Sequence, residues 1–234
     1  MNKEIDIQKK FLAEAVGTFI IVFSGCGSIM VAERFPSSLS PSLVPVVFGL
    51  AVAAMVYALG HLSGAHFNPA VTLGFAAVRH FPVKQILPYW AAQISGGVLA
   101  SLLLGVLLPP GSSFGATFPH VNPLQAVLWE MILTFLLMFV IIAVATDTRA
   151  VGTMAGAAIG AAVMLAAFVG GPVTGASMNP ARSLGPAILE GKLGVMWIYI
   201  LGPFLGAISA AFFYEKIRCS TDIPSIKKKV KGCC

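Results

Sequence analysis

Six apolar runs dominate this chain, at residues 11–32, 43–62, 86–108, 124–145, 151–170 and 195–214. Each has about the 20 residues that a helix needs to cross the hydrocarbon core of a bilayer. Within a bilayer every backbone polar group must be satisfied by the protein itself, so such a chain folds as helices. Two stretches break that pattern. HFNPAV (66–71) and SMNPAR (177–182) each set a proline behind an asparagine among apolar residues, and the second adds a permanent charge, Arg182. A charge at the bilayer centre costs roughly 2.5–3.5 kcal/mol, so this placement needs a reason.

Composition agrees with the membrane reading. Of 234 residues, 57% are hydrophobic and 10% are charged, against about 25% charged in soluble domains. The first run is not a cleavable signal peptide: it is too long, carries Glu14 and is followed by further spans. Positive charge sets the orientation. Lys3, Lys9, Lys10, Arg79, Lys84, Arg149, Lys216, Arg218, Lys227, Lys228, Lys229 and Lys231 all fall on one side if all six runs cross; Arg34, Arg182 and Lys192 fall on the other. Both termini are therefore expected in the cytoplasm of a multi-pass protein of the cell membrane. The net charge of +6 follows from this bias, and no nucleic acid partner is implied.

The four cysteines make no framework. Cys26 lies within a span, and Cys219, Cys233 and Cys234 fall on the side where thiols stay reduced. The ending KKKVKGCC has the composition of a basic, doubly lipidated tail, but a disordered basic tail with incidental cysteines is the preferred reading. His61 and His66 lack the acidic or thiol partners of a metal set. Neither a nucleotide motif nor a nucleophile–base pair is visible, so neither cofactor nor enzyme activity is expected.

The two Asn-Pro-Ala stretches belong to a longer repeat. GAHFNPAVTLG (64–74) aligns with GASMNPARSLG (175–185), and EAVGTF (14–19) with EMILTF (130–135). The chain thus divides into halves of three spans, about 10–108 and 124–215, within one domain of 1–215, followed by a basic tail at 216–234. An odd number of spans per half makes the halves face opposite ways, as an inverted repeat. Asparagine before proline is a helix start: Asn caps and Pro takes the first turn. Residues 68–78 and 179–189 allow about 11 helical residues, roughly 16 Å each. That is half a bilayer, so two re-entrant half-helices meet at the midplane. The stretches before them, 60–66 with two glycines and 170–177 with three glycines and Pro172, are expected to be extended, with free carbonyls along a polar path. Each helix N-terminus carries roughly half a positive charge, which repels cations.

These features resemble the aquaporin, or major intrinsic protein, family. The resemblance rests on two Asn-Pro-Ala motifs, an Arg directly after the second, the three-plus-three inverted repeat and a Glu in the first span of each half, over residues 10–215. YALGHLSGAHFNPAVT and GGPVTGASMNPARSLGPA are most similar to the plant nodulin-26-like branch and its bacterial relatives. The resemblance implies an all-α membrane protein with six transmembrane helices and two half-helices. It also implies a homotetramer with a pore in each protomer. Asn68, Pro69, Ala70, Asn179, Pro180 and Ala181 would form the pore junction. Gly64, Ala65, His66, Ser177 and Met178 would offer carbonyls to it. Glu14 and Glu130 would brace the re-entrant loops rather than relay protons, and Phe48, Ala167, Ala176 and Arg182 would form the selectivity filter. Gly156/Gly160 and Gly202/Gly206 read as helix-packing faces.

The filter points to the solute. Strict water channels of this family carry a His where this chain has Ala167. Ser183 and Ala187 match the water branch, whereas Tyr199-Ile200 does not, and Phe48 departs from the plant branch. The expected function is a passive channel for water and small neutral solutes such as glycerol, excluding ions and protons. Other readings are a strict water channel, a channel for metalloid acids (arsenite, boric or silicic acid), a secondary transporter with alternating access, and a structural or adhesion protein on the channel fold.

Overall fold

The computed structural model describes residues 6–108, 113–147, 150 and 152–218. The tail motif KKKVKGCC, Cys219, Cys233, Cys234, Lys3 and Arg149 lie outside the described residues. Eight α-helices make up the described chain: α1 (Ile7–Arg34), α2 (Val44–Ser63), α3 (Pro69–Ala77), α4 (Ile86–Leu107), α5 (Pro123–Thr146), α6 (Ala155–Thr174), α7 (Pro180–Leu189) and α8 (Ile198–Ile217). Six are long and apolar enough to cross a membrane. The other two, α3 and α7, have 9 and 10 residues, together roughly 28 Å at 1.5 Å per residue.

The helices pair by a rule that maps one half onto the other. α1 packs on α4 as α5 packs on α8, α1 on α2 as α5 on α6, and α2 meets its counterpart α6. The half-helices are exchanged: α3 packs on α8 and α7 on α4. Each short helix is therefore clamped by the opposite half. The fold is an inverted repeat of six spanning helices and two re-entrant half-helices.

Glycines permit the close approach at matching points. A Cβ on Gly96 in α4 would lie 2.2 Å from the Ala15 carbonyl oxygen in α1, and one on Gly206 in α8 would lie 2.2 Å from that of Met131 in α5. At the α2–α6 crossing, Gly49 and Gly160 each sit where a Cβ would fall 2.5 Å from the other's carbonyl oxygen. With no hydrophobic force between helices in lipid, such close backbone packing holds the bundle together.

The structure corrects two boundaries. The stretches 60–66 and 170–177 are not extended throughout. α2 runs to Ser63 and α6 to Thr174, so only 64–68 and 175–179 leave the helix. Pro172 sits exposed in the last turns of α6 and does not end it. What stops both helices is a glycine in the left-handed region: Gly64 at φ 89° and Gly175 at φ 83°, the common helix C-terminus. At the other end of the described chain, α8 runs to Ile217.

Candidate pore

Each half-helix begins at its asparagine. Asn68 is extended (φ −156°, ψ 121°) and its Oδ1 accepts from the Ala70 amide at 2.9 Å. Asn179 (φ −152°, ψ 106°) accepts from the amides of Ala181 at 3.0 Å and Arg182 at 3.3 Å. Pro69 and Pro180 fill the first turns. The other end of each amide crosses to the opposite half. Asn68 Nδ2 donates to the Met178 carbonyl at 2.7 Å, and Asn179 Nδ2 to the Phe67 carbonyl at 2.9 Å. An amide nitrogen has two hydrogens, so each Asn keeps one beyond this cross-link. Both Asn residues line the same cavity.

The loops before the asparagines are strained in the same way. Ala65 (φ 53°), Phe67 (φ 52°), Ala176 (φ 42°) and Met178 (φ 52°) all have left-handed backbone without being glycine. Such conformations cost about 1–3 kcal/mol each and persist only where neighbours fix them. Here the neighbours are the two buried glutamates. Glu14 accepts from the amides of His66 at 2.9 Å and Phe67 at 2.7 Å, and from Ser63 Oγ and Gln93 Nε2, both at 2.7 Å. Glu130 accepts from the amides of Ser177 at 2.9 Å and Met178 at 2.8 Å, and from Thr174 Oγ1 at 2.7 Å. Every one of these partners is a donor. A hydrogen bond contributes about 0.5–1.5 kcal/mol net, so the three or four on each glutamate are of the same order as the strain.

Several members of this network carry no sequence motif of their own. Ser63 and Thr174 each bond the glutamate and, through the same hydroxyl, the amide two residues on. Tyr89 and Tyr199 each donate to the carbonyl of that Ser or Thr, both at 2.7 Å. These pairs sit at the repeat offset, 174 − 63 = 111 and 199 − 89 = 110, so extending the alignment would have found them. Gln93 has no such partner; Pro203 stands at its offset. His66 is not near a metal set: its Nδ1 lies 3.0 Å from Thr72 Oγ1, and its ring packs among Phe75, Phe81 and Tyr89. Among the described residues no His, Cys, Asp and Glu cluster is arranged to hold a metal.

The expected filter residues come together. Phe48, Ala167, Ala176 and Arg182 all border the cavity of about 60 Å³ that also reaches both asparagines. The Arg182 guanidinium carbon lies 5.1 Å from the centre of the Phe48 ring, within cation–π range. Its Nη1 donates to the Gly115 carbonyl at 2.7 Å. Gly115 belongs to the connection between the halves, which carries no motif in the sequence. It has φ 68°, and a Cβ there would lie 2.7 Å from that of Cys26. Ala65, His66, Ser177 and Met178 also border the cavity, as does Phe67. Gly64 does not; it is exposed at the end of α2. Arg182 is thus the one charged side chain on the cavity wall among the described residues, beside the apolar side chains of Phe48, Ala167 and Ala176.

Comparison with known proteins agrees with this architecture. Residues 1–214 match the sequence model of the Major intrinsic protein family. The chain is 49% identical to Nodulin-26 of Glycine max over 217 residues, 92% of this chain and 80% of that protein. It is 50% identical to the putative aquaporin NIP4-1 of Arabidopsis thaliana over 220 residues, 93% of this chain and 77% of that protein. Among solved structures it is similar to the aquaglyceroporin from Plasmodium falciparum, with a TM-score of 0.78 at 25% identity, covering 91% of this chain and 97% of that one. With its crossed asparagines, braced loops and six spanning helices, the chain belongs to the major intrinsic protein, or aquaporin, family of membrane channels.

Proposed function

We propose that this protein passes water and small neutral solutes of glycerol size down their gradients, and excludes ions and protons. The observation that carries the reading is the wall formed by Phe48, Ala167, Ala176 and Arg182: one charged donor beside an apolar flank. A solute with hydroxyls along one edge and carbon along the other satisfies both sides of such a wall. Water gains nothing from the apolar side. The similarity to the Plasmodium falciparum aquaglyceroporin points the same way.

In this reading Asn68 and Asn179 offer their remaining amide hydrogens to the passing solute, with Pro69, Ala70, Pro180 and Ala181 locking the two half-helix starts. The carbonyls of Ala65, His66, Ser177 and Met178 accept along the path, without Gly64, which lies off the cavity. Two helix N-termini and Arg182 oppose any cation. Glu14 and Glu130 brace the loops through the amides of His66, Phe67, Ser177 and Met178. The channel domain spans 1–215, as repeats of about 10–108 and 124–215, with a basic tail at 216–234. The charge bias supports cytoplasmic termini in the cell membrane, and the family resemblance supports a homotetramer.

Purified protein in vesicles tests this against a transporter. Glycerol uptake should follow its own gradient linearly, unchanged by imposed proton or sodium gradients. Uptake that saturates and responds to either gradient would contradict it.

A further inference from the structure

Phe48 is the bulkiest residue on the filter wall, yet its ring is half-buried and lies against α1. The point of contact is Gly25. A Cβ on residue 25 would fall 2.1 Å from Phe48 Cε1, 2.3 Å from Cζ and 2.4 Å from Cδ1, where carbon atoms normally stay about 3.5–4.0 Å apart. Gly25 is buried in the middle of a 28-residue helix, a place where glycine weakens the helix relative to alanine. The helix alone gives no reason for it; the ring does.

The ring has few other places to go. Arg182 stands over it, and Val22 and Cys26 belong to the buried cluster against which it packs. α1 itself cannot retreat, since Glu14 holds two loop amides and Ala15 is in backbone contact with Gly96. The open side is the cavity. We propose that Gly25 is a positioning residue for solute size: its missing side chain leaves a notch that draws the Phe48 ring out of the lumen and sets the width beside Arg182. The inference rests on the four-residue wall being the constriction. Eight residues earlier, α1 repeats the device. Gly17 leaves a notch for Phe67, where a Cβ would fall 2.0 Å from Cε1 of that ring. Two notches two turns apart thus seat two aromatic side chains of the cavity wall.

Water, urea and glycerol fluxes through reconstituted vesicles test this, with the unmodified protein measured first. Gly25→Ala should lower the flux of whichever solutes the unmodified protein passes by about 10-fold, the scale of a one-carbon change in a tight pocket, with a smaller fall for water. The double variant Gly25→Ala/Phe48→Val should recover that flux. An unmodified protein that passes water alone would contradict the solute reading, and Gly25→Ala should then still lower water flux. A solute-to-water ratio unchanged by Gly25→Ala, an unchanged water flux in the water-only case, or a double variant as restrictive as the single one overturns the role of Gly25. Should Gly25→Ala fail to insert, insertion of the double variant supports the clash with the ring. Failure of both overturns it.

Discussion

Asn68 and Met178 lie 110 residues apart and are joined by a 2.7 Å hydrogen bond from the side-chain amide of one to the main-chain carbonyl of the other. Asn179 and Phe67 make the reciprocal bond at 2.9 Å. Each asparagine therefore has two tasks: its oxygen caps its own half-helix, and its nitrogen ties down the opposite loop. Asn68→Ala removes both. A lost cap costs about 1 kcal/mol and a lost hydrogen bond about 1 kcal/mol. Thermal unfolding in detergent should show a loss near their sum. A midpoint equal to that of the unmodified protein would mean that the halves are not joined there.

Replacing Glu14 or Glu130 by glutamine keeps the size and changes the chemistry. An amide nitrogen would then face backbone N–H groups that need an acceptor. Each buried donor left unpaired costs about 1–3 kcal/mol. Glu130→Gln and Glu14→Gln should both reduce the yield and thermal stability of folded protein. Channels that do fold should retain gradient-driven flux. Normal stability with altered proton coupling would support a relay instead.

Much of this arrangement is legible in the sequence, because it is doubled. The repeat gives the helix count, the inverted relation and the half-helices, since an Asn-Pro pair in an apolar setting has few structural uses. Phe48, Ala167, Ala176 and Arg182 are named only through the resemblance to the family, counted from its motifs, and they border one cavity. What escapes is whatever acts through backbone or through absence. The Gly115 carbonyl that holds Arg182 has no side chain to advertise it. Gly17 and Gly25 matter for what they lack, and only the packed rings reveal it. The helix ends at Ser63 and Thr174 are not legible either, because Gly60, Gly170, Gly171 and Pro172 suggest earlier breaks. Two glycines in the left-handed region stop those helices instead.

Gly115→Ala tests the anchor of Arg182. Alanine at φ 68° is strained, and its Cβ would meet Cys26. The carbonyl must shift, freeing the guanidinium to move. The expected result is a changed glycerol-to-water ratio in vesicles, together with a stability loss of about 1–3 kcal/mol. Unchanged selectivity in folded protein would show that Arg182 does not depend on this carbonyl.

Mercurials should block weakly or not at all. Cys26 is completely buried, points its Sγ at the Gly115 carbonyl at 3.7 Å, and does not border the cavity. A strong block that disappears in Cys26→Ala would place this cysteine in the path and contradict the assigned wall.

Ala167→His should narrow the wall and give it a second polar group facing Arg182. Glycerol flux is expected to fall by about 10-fold or more, with water much less affected. Equal losses of both would show that residue 167 is not part of the size limit.

The most direct measurement takes the unmodified protein in sealed vesicles and follows water, glycerol and protons in one preparation, by light scattering and an internal pH dye. The account predicts fast water flux, glycerol flux well above that of protein-free vesicles, and proton flux no greater than theirs. A preparation that passes water but excludes glycerol, urea and neutral metalloid acids alike would contradict the solute assignment, and one that leaks protons alongside water would contradict the barrier built from Asn68, Asn179 and Arg182.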